Sequence, residues 1–252
     1  MSAPLALETE GLNRSFGALR VTQNVSFKLP AGARYALIGP NGAGKSTFIN
    51  LLTGVLAPSG GRILLHGEDV TRLPAEQRVR RGLARTFQIN TLFPDLTPLE
   101  STALAIAQRH GICVNPFRRL SACTAEIDEA HALLTQFEFG ADEGRPTREL
   151  AYGRQRLLEM VLALAVKPKV LLLDEPAAGV PHHESAEIFA ALTALPSEIA
   201  VLFIEHDMDV VFRFAERITV LNAGQVLCEG TPDEIAEHPE VREVYLGDGH
   251  DV

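Results

Sequence analysis

Apolar positions along this chain follow one period in its outer parts and another in the middle. Short runs rich in apolar and β-branched residues, separated by turn residues, recur at 5–9, 25–29, 34–38 and 62–65. They return at 170–173, 200–204, 217–221 and 225–228 and read as strands. Val170-Leu-Leu-Leu173 and Val201-Leu-Phe-Ile204 are continuously apolar rather than alternating, which marks strands buried on both faces. Between them 185–194 reads as a helix, so this half predicts strand–helix crossovers around a parallel sheet. From about 98 to 165 no strand pattern appears. Ile127, Ala130, Leu134 and Phe137 form one stripe of an amphipathic helix, and 99–108 and 154–166 also read as helical. The expected architecture is an α/β core over 1–89 and 151–252, interrupted by a helical lobe at 90–150.

Composition narrows the class. The 252 residues are 46% hydrophobic and 22% charged, a balance that excludes a disordered chain. No apolar run reaches the roughly 18 residues of a membrane span; the longest, from Leu157, is broken by Lys167, Pro168 and Lys169. Met1-Ser2-Ala3-Pro4 lacks the basic-then-apolar start of a secretory signal, so a cytoplasmic location is expected. Cys113, Cys123 and Cys228 are sparse and show no CxxC spacing, against a disulfide scaffold or a zinc site. A net charge of −9 argues against nucleic acid as the partner. Residues 1–125 carry 14 Lys/Arg against 7 Asp/Glu, however, and the remainder 9 against 25, which suits an anionic ligand on the first half.

The strongest chemical signal is Gly39-Pro40-Asn41-Gly42-Ala43-Gly44-Lys45-Ser46-Thr47, which matches GxxxxGK[ST]. It follows the apolar strand ending at Ile38 and precedes a helical run, the context that pattern requires. Glycines let successive backbone N–H groups turn inward around phosphate, and the following helix adds its positive end. Lys45 is expected to neutralise the β- and γ-phosphates of a nucleotide, and the Ser46 hydroxyl to ligate Mg²⁺. A second signal is Val170-Leu-Leu-Leu-Asp174-Glu175, a buried strand that ends in two acids where open α/β sheets bind ligands. Asp174 suits Mg²⁺ through its water shell, and Glu175 suits activation of water.

With these motifs the sequence resembles the ATP-binding cassette (ABC) ATPases along nearly its whole length. Gln88 in Ala84-Arg-Thr-Phe-Gln88 matches that family's Q-loop glutamine, and Leu150-Ala151-Tyr152-Gly153-Arg154-Gln155 its signature sequence. His206 matches the switch histidine, and Phe16 the aromatic that stacks on adenine. The resemblance implies a P-loop fold with a parallel core sheet, an antiparallel β subdomain and the inserted helical lobe. It also implies that Gln88 contacts metal and water and that His206 positions the water. The resemblance further implies that the amides around Gly153, at a helix start, form a second anion site facing the phosphate of an opposite subunit.

Finer matches, among them Arg85-Thr-Phe-Gln88, Gly230-Thr-Pro232 and Val241-Arg-Glu-Val-Tyr-Leu-Gly247, resemble the ATPases of branched-chain amino acid importers. Three departures stand out. Ala151 replaces the general signature's serine, Leu162 replaces a usual arginine, and Val180-Pro181-His182-His183 replaces the usual Leu-Asn-Pro after Gly179. His182-His183-Glu184 has no third ligand at helical spacing and is not read as a metal site. The implied role is ATP hydrolysis, peripheral on the cytoplasmic face of the cell membrane, beneath permease subunits and indirectly a solute-binding protein. A second ATPase subunit is implied, a paralogue in preference to a copy of this chain. Competing readings are a lipopolysaccharide-extracting ATPase, a non-transport ABC protein and a plain P-loop kinase. The segment from about 90 to 119, with Leu92, Phe93 and Leu96, is the expected permease-docking region.

Overall fold

The computed structural model describes residues 4–86, 92–111, 123–180 and 182–246, without the side chains of 182–187, 245 and 246. Contacts divide the chain into two units. The first joins Met1–Arg85, Lys169–Glu175 and Pro196–Val252; the second joins Thr86–Pro168 and Pro176–Leu195.

Two sheets build the first unit. β1 (Leu5–Phe16) and β2 (Leu19–Pro30) pair antiparallel, Phe16 opposite Leu19, across a turn in which Gly17 takes a positive φ. β4 (Gly60–Leu65) and β5 (Glu68–Asp69) complete this sheet in the order β2-β1-β4-β5. The second sheet contains β3 (Arg34–Ile38), β6 (Leu83–Arg85), β7 (Val170–Asp174), β8 (Ala200–Ile204), β9 (Arg217–Asn222) and β10 (Gln225–Gly230). Its order is β10-β9-β3-β8-β7-β6, and every pairing is parallel except that of β9 with β10. Every residue of β7 and β8 is buried, as their unbroken apolar runs require. Phe27 sets its ring edge-on to Tyr35 and Phe48, so both sheets and α1 (Lys45–Thr53) share one core.

One buried cation fixes the far end of α1. Arg78, on α2 (Ala75–Arg80), is 1% exposed and donates to the carbonyls of Leu51 and Leu52 at 2.6 Å each and of Thr71 and Leu73 at 3.0 Å. The last carbonyls of a helix have no intrahelical donor, and the negative end of its dipole favours a cation. Burial still pulls the Arg78 pKa down to about 10.

The second unit is helical. It contains α3 (Pro98–Arg109), α4 (Thr124–Gln136), α5 (Tyr152–Ala165) and α6 (His182–Thr193), with 3₁₀ turns at Gly140–Gly144 and Thr147–Glu149. α3 starts with a capping box: the Glu100 amide donates to Thr97 Oγ1, and the Thr97 amide to Glu100 Oε2. Ala103, Ile106, Ala130 and Ala165 form the small core of the bundle. Arg109 locks it by donating to the Ala165 carbonyl and the Glu129 carboxylate, both at 2.6 Å.

The helical unit extends past the 90–150 boundary drawn from sequence. α5 packs against α3 and α4, and α6 against α5, so both group with the helical unit rather than with the sheet. The apolar period also passes over β5, β6, α2, α7 (Met208–Phe214), α8 (Pro232–Glu237) and α9 (Pro239–Leu246), each too short for a period to register. No helix among the described residues is long and apolar enough to cross a membrane.

Candidate active site

The candidate site forms within the first unit, at the carboxyl ends of three neighbouring strands. β3 stops at Ile38, and the chain turns through 39–44 into α1. Two positions in that turn admit only glycine. At Gly39, with φ +152°, a Cβ would lie 2.1 Å from the Leu221 carbonyl oxygen; at Gly44, with φ +100°, it would lie 2.6 Å from that of Val21. Gly44 is the N-cap of α1 and gives it no side-chain cap, and Asn41 and Gly42 are exposed. Lys45 begins the helix with its side chain folded back, Nζ donating to the Gly39 oxygen at 2.6 Å and to the Pro40 oxygen at 3.1 Å. Burial lowers the Lys45 pKa, and the charges of Glu175 and Asp174 act in the opposite direction. Ser46 is exposed and Thr47 half-buried.

β7 supplies the acids. Asp174 is 4% exposed and pairs in register with Ile204 of β8. Glu175, next in the chain, has a φ of +50°, an uncommon state for a side-chain-bearing residue that costs about 1–3 kcal/mol. Its amide donates to the Ile204 carbonyl at 3.0 Å, which holds that backbone state. The turn aims the carboxylate at the residue after β8's own exit: His206 Nε2 lies 2.8 Å from Glu175 Oε1. Lys45, Asp174, Glu175 and His206 are therefore brought together. Phe16 ends β1 and is 45% exposed, with the Arg14 guanidinium 4.6 Å over its ring.

Two residues without an assigned role in the sequence belong to this cluster. Arg85, at the end of β6, donates from Nη2 to Asp174 Oδ2 at 2.7 Å and from Nη1 to Asn50 Oδ1 of α1 at 2.6 Å. Arg85 stood inside the Arg-Thr-Phe-Gln match, but nothing local ties an edge-strand arginine to an acid on the next strand.

The arrangement fits a nucleotide triphosphate with a hard cation. A turn with no room for a Cβ at Gly39 and Gly44 leads into an uncapped helix start, and among the described residues a buried ammonium rests on loop carbonyls. The oxygen donors beside it, the Ser46 hydroxyl and the Asp174 carboxylate, are of the type Mg²⁺ selects.

Gln88 and Pro181 fall outside the described residues, and the side chains of His182 and His183 are likewise outside them. Ala151–Gln155 belong to the second unit. Ala151 is the N-cap of α5 and supplies no side-chain cap; Gly153 is buried, and Tyr152 is 41% exposed. Arg154 donates to the Glu138 carbonyl at 2.7 Å and lies 4.5 Å over the Phe139 ring, while the Gln155 side chain donates from Nε2 to the Leu150 carbonyl. Phe93 is 61% exposed and Leu92 and Leu96 are half-buried.

Comparison with known proteins agrees with this geometry. Residues 22–178 match the model of the family described as ABC transporter, and 225–251 that of the branched-chain amino acid ATP-binding cassette transporter. The high-affinity branched-chain amino acid transport ATP-binding protein BraF of Pseudomonas aeruginosa is 40% identical over 98% of this chain and 100% of its own length. LivG of Escherichia coli, with the same description, is 39% identical over 98% and 100%. Among solved structures, a nucleotide-free ATP-binding cassette from an ABC transporter superposes with a TM-score of 0.82, at 28% identity, over 96% of this chain and 98% of that one. A structure of the ADP conformation of an ATP-binding cassette of an ABC transporter also gives 0.82, at 30% identity, over 96% and 99%.

Proposed function

We propose a function from the premise that this chain belongs to the ABC transporter family: it is the ATP-hydrolysing subunit of an importer for branched-chain or other hydrophobic amino acids. The observation that carries the reading is the gathering of Lys45, Asp174, Glu175 and His206 at the ends of adjacent parallel strands. The solute class is supported by the relatives, which are branched-chain amino acid transport ATP-binding proteins matched end to end.

In this reading the amides of 39–44 and the Lys45 ammonium hold the phosphates, and Phe16 takes the adenine. Ser46, Asp174 and Gln88 hold Mg²⁺, which when bound neutralises phosphate charge. Glu175 orients water and accepts its proton, and His206, hydrogen-bonded to that carboxylate, keeps it aimed and contacts the γ-phosphate. The strained Glu175 backbone state is kept because it points the carboxylate out of the sheet.

The Ala151–Gln155 segment serves the phosphate of a second ATPase subunit. That subunit is a paralogue in preference to a second copy, because Ala151 lacks the hydroxyl of a full signature. Permease subunits at the cytoplasmic face of the membrane complete the assembly, with 90–119 as their docking segment.

The test uses the chain assembled with its paralogue and permease in proteoliposomes, with the solute-binding protein supplied. Glu175→Gln keeps nucleotide binding and slows turnover by roughly 10²–10⁴-fold. Unchanged turnover removes Glu175 from catalysis. Stimulation of the wild type by external leucine, isoleucine or valine supports the solute class; intact turnover that none of them stimulates, in an assembly that another solute does stimulate, rejects it.

A further inference from the structure

Asp174 is one of the least exposed carboxylates of the protein, yet the reading above asks it to face a metal ion. Its surroundings explain how it stays aimed. The Asp174 and Arg85 side chains are 5% and 12% exposed, and their contact is a charge-assisted bond of 2.7 Å from Nη2 to Oδ2. The other arm of the same guanidinium reaches Asn50 Oδ1 at 2.6 Å. Asn50 lies four residues after Ser46 on α1, so the two share one helix face. One planar fork thus joins the acid of β7 to the helix that begins at Lys45. Lysine cannot reproduce this, because its point charge lacks two donors in fixed geometry.

We propose that Arg85 is a positioning residue for the metal site: it holds Asp174 Oδ2, leaving Oδ1 for the ion, and fixes through Asn50 the spacing of Asp174 from Ser46. The proposal rests on the reading of Ser46 and Asp174 as the metal side of the site. Two electrostatic effects of Arg85 oppose each other. Its charge repels a nearby cation, but without it the carboxylate loses the donor that holds Oδ2 and turns away. The bond of 2.7 Å fixes the orientation of the carboxylate, which makes the second effect the larger. Loss of a residue that orients a metal-binding carboxylate weakens metal affinity by roughly 10–100-fold.

The experiment titrates Mn²⁺ by electron paramagnetic resonance into the ADP-loaded chain, beside ADP affinity measured in EDTA and the melting temperature. Arg85→Gln and Arg85→Lys are expected to weaken Mn²⁺ binding by that factor, with metal-free ADP affinity within twofold of wild type. Asn50→Ala, which keeps the buried ion pair, gives a smaller shift in the same direction and serves if the Arg85 variants do not fold. Mn²⁺ binding that is unchanged or tighter in the folded variants overturns the proposal. So does parallel loss of metal-free ADP affinity and melting temperature, the mark of a purely structural residue. A wild type that binds ADP but shows no Mn²⁺ site defeats instead the metal reading on which the proposal rests.

Discussion

The two units use their polar side chains in opposite ways. In the sheet-based unit they converge from different strands on one place: Lys45 sits on its own loop's carbonyls, Glu175 is held in an uncommon backbone state, and His206 meets it across β7 and β8. In the helical unit they close the unit on itself. Arg109 ties α3 to α4 and α5, Arg154 binds Glu138 and Asp142, and Arg156 pairs with Glu159 inside α5. One unit holds back stability to keep groups poised for a ligand, and the other spends its charges on holding shape. Sites that bind and react are expected to carry such strain and desolvation, whereas a bundle whose charges pair internally has no use for them.

The largest effect that separates the two units is expected at Lys45. Lys45→Met removes a buried cation whose pKa burial already lowers. Phosphate then loses a charge-assisted contact worth about 1.5–3 kcal/mol, or roughly 10–100-fold in nucleotide affinity. The nucleotide-free chain is expected to melt no lower than wild type. A lower melting temperature together with lost binding would mean that Lys45 supports the fold.

A smaller effect is expected in the helical unit and depends on pH. The hydrogen bond from Arg109, aided by Lys167 and opposed by burial, lowers the Glu129 pKa from 4.5 to about 2. Because the folded pKa is the depressed one, this stabilisation is present above pH 4.5 and is lost as pH falls from there towards 2. Glu129 is 31% exposed, and after allowance for solvent screening the contribution is about 1–2 kcal/mol. Arg109→Ala should therefore destabilise the chain at pH 7 and flatten its acid limb, as read by denaturant unfolding at a series of pH values. An unchanged limb would place the ion pair among those that contribute nothing.

The smallest effect lies at the start of α5. Ala151→Ser adds a side-chain acceptor at an N-cap that has none, a gain of roughly 0.5–2 kcal/mol in unfolding free energy. Nucleotide affinity of the isolated chain is expected to stay as it was. A change in that affinity would show that the segment serves this chain's own site.

What could be read from the sequence was whatever neighbouring residues determine. Glycine at 39, 42 and 44 before Lys45 fixes a loop by backbone sterics, and the unbroken apolar runs fix two buried strands, so the phosphate loop and the acids of β7 were legible. The stripe of Ile127, Ala130 and Leu134 announced α4 in the same way. What the sequence left open depends on which strands become neighbours. That His206 bonds Glu175, that Arg85 meets both Asp174 and Asn50, and that Arg78 closes the end of α1 follow from the sheet order and from parallel registers such as Asp174 with Ile204. Those pairings join residues 31 and 89 positions apart, for Glu175–His206 and Arg85–Asp174. No local period encodes such a distance. The grouping of α5 and α6 with the helical unit was decided in the same way: their apolar faces state that they pack, and only the folded chain states against what.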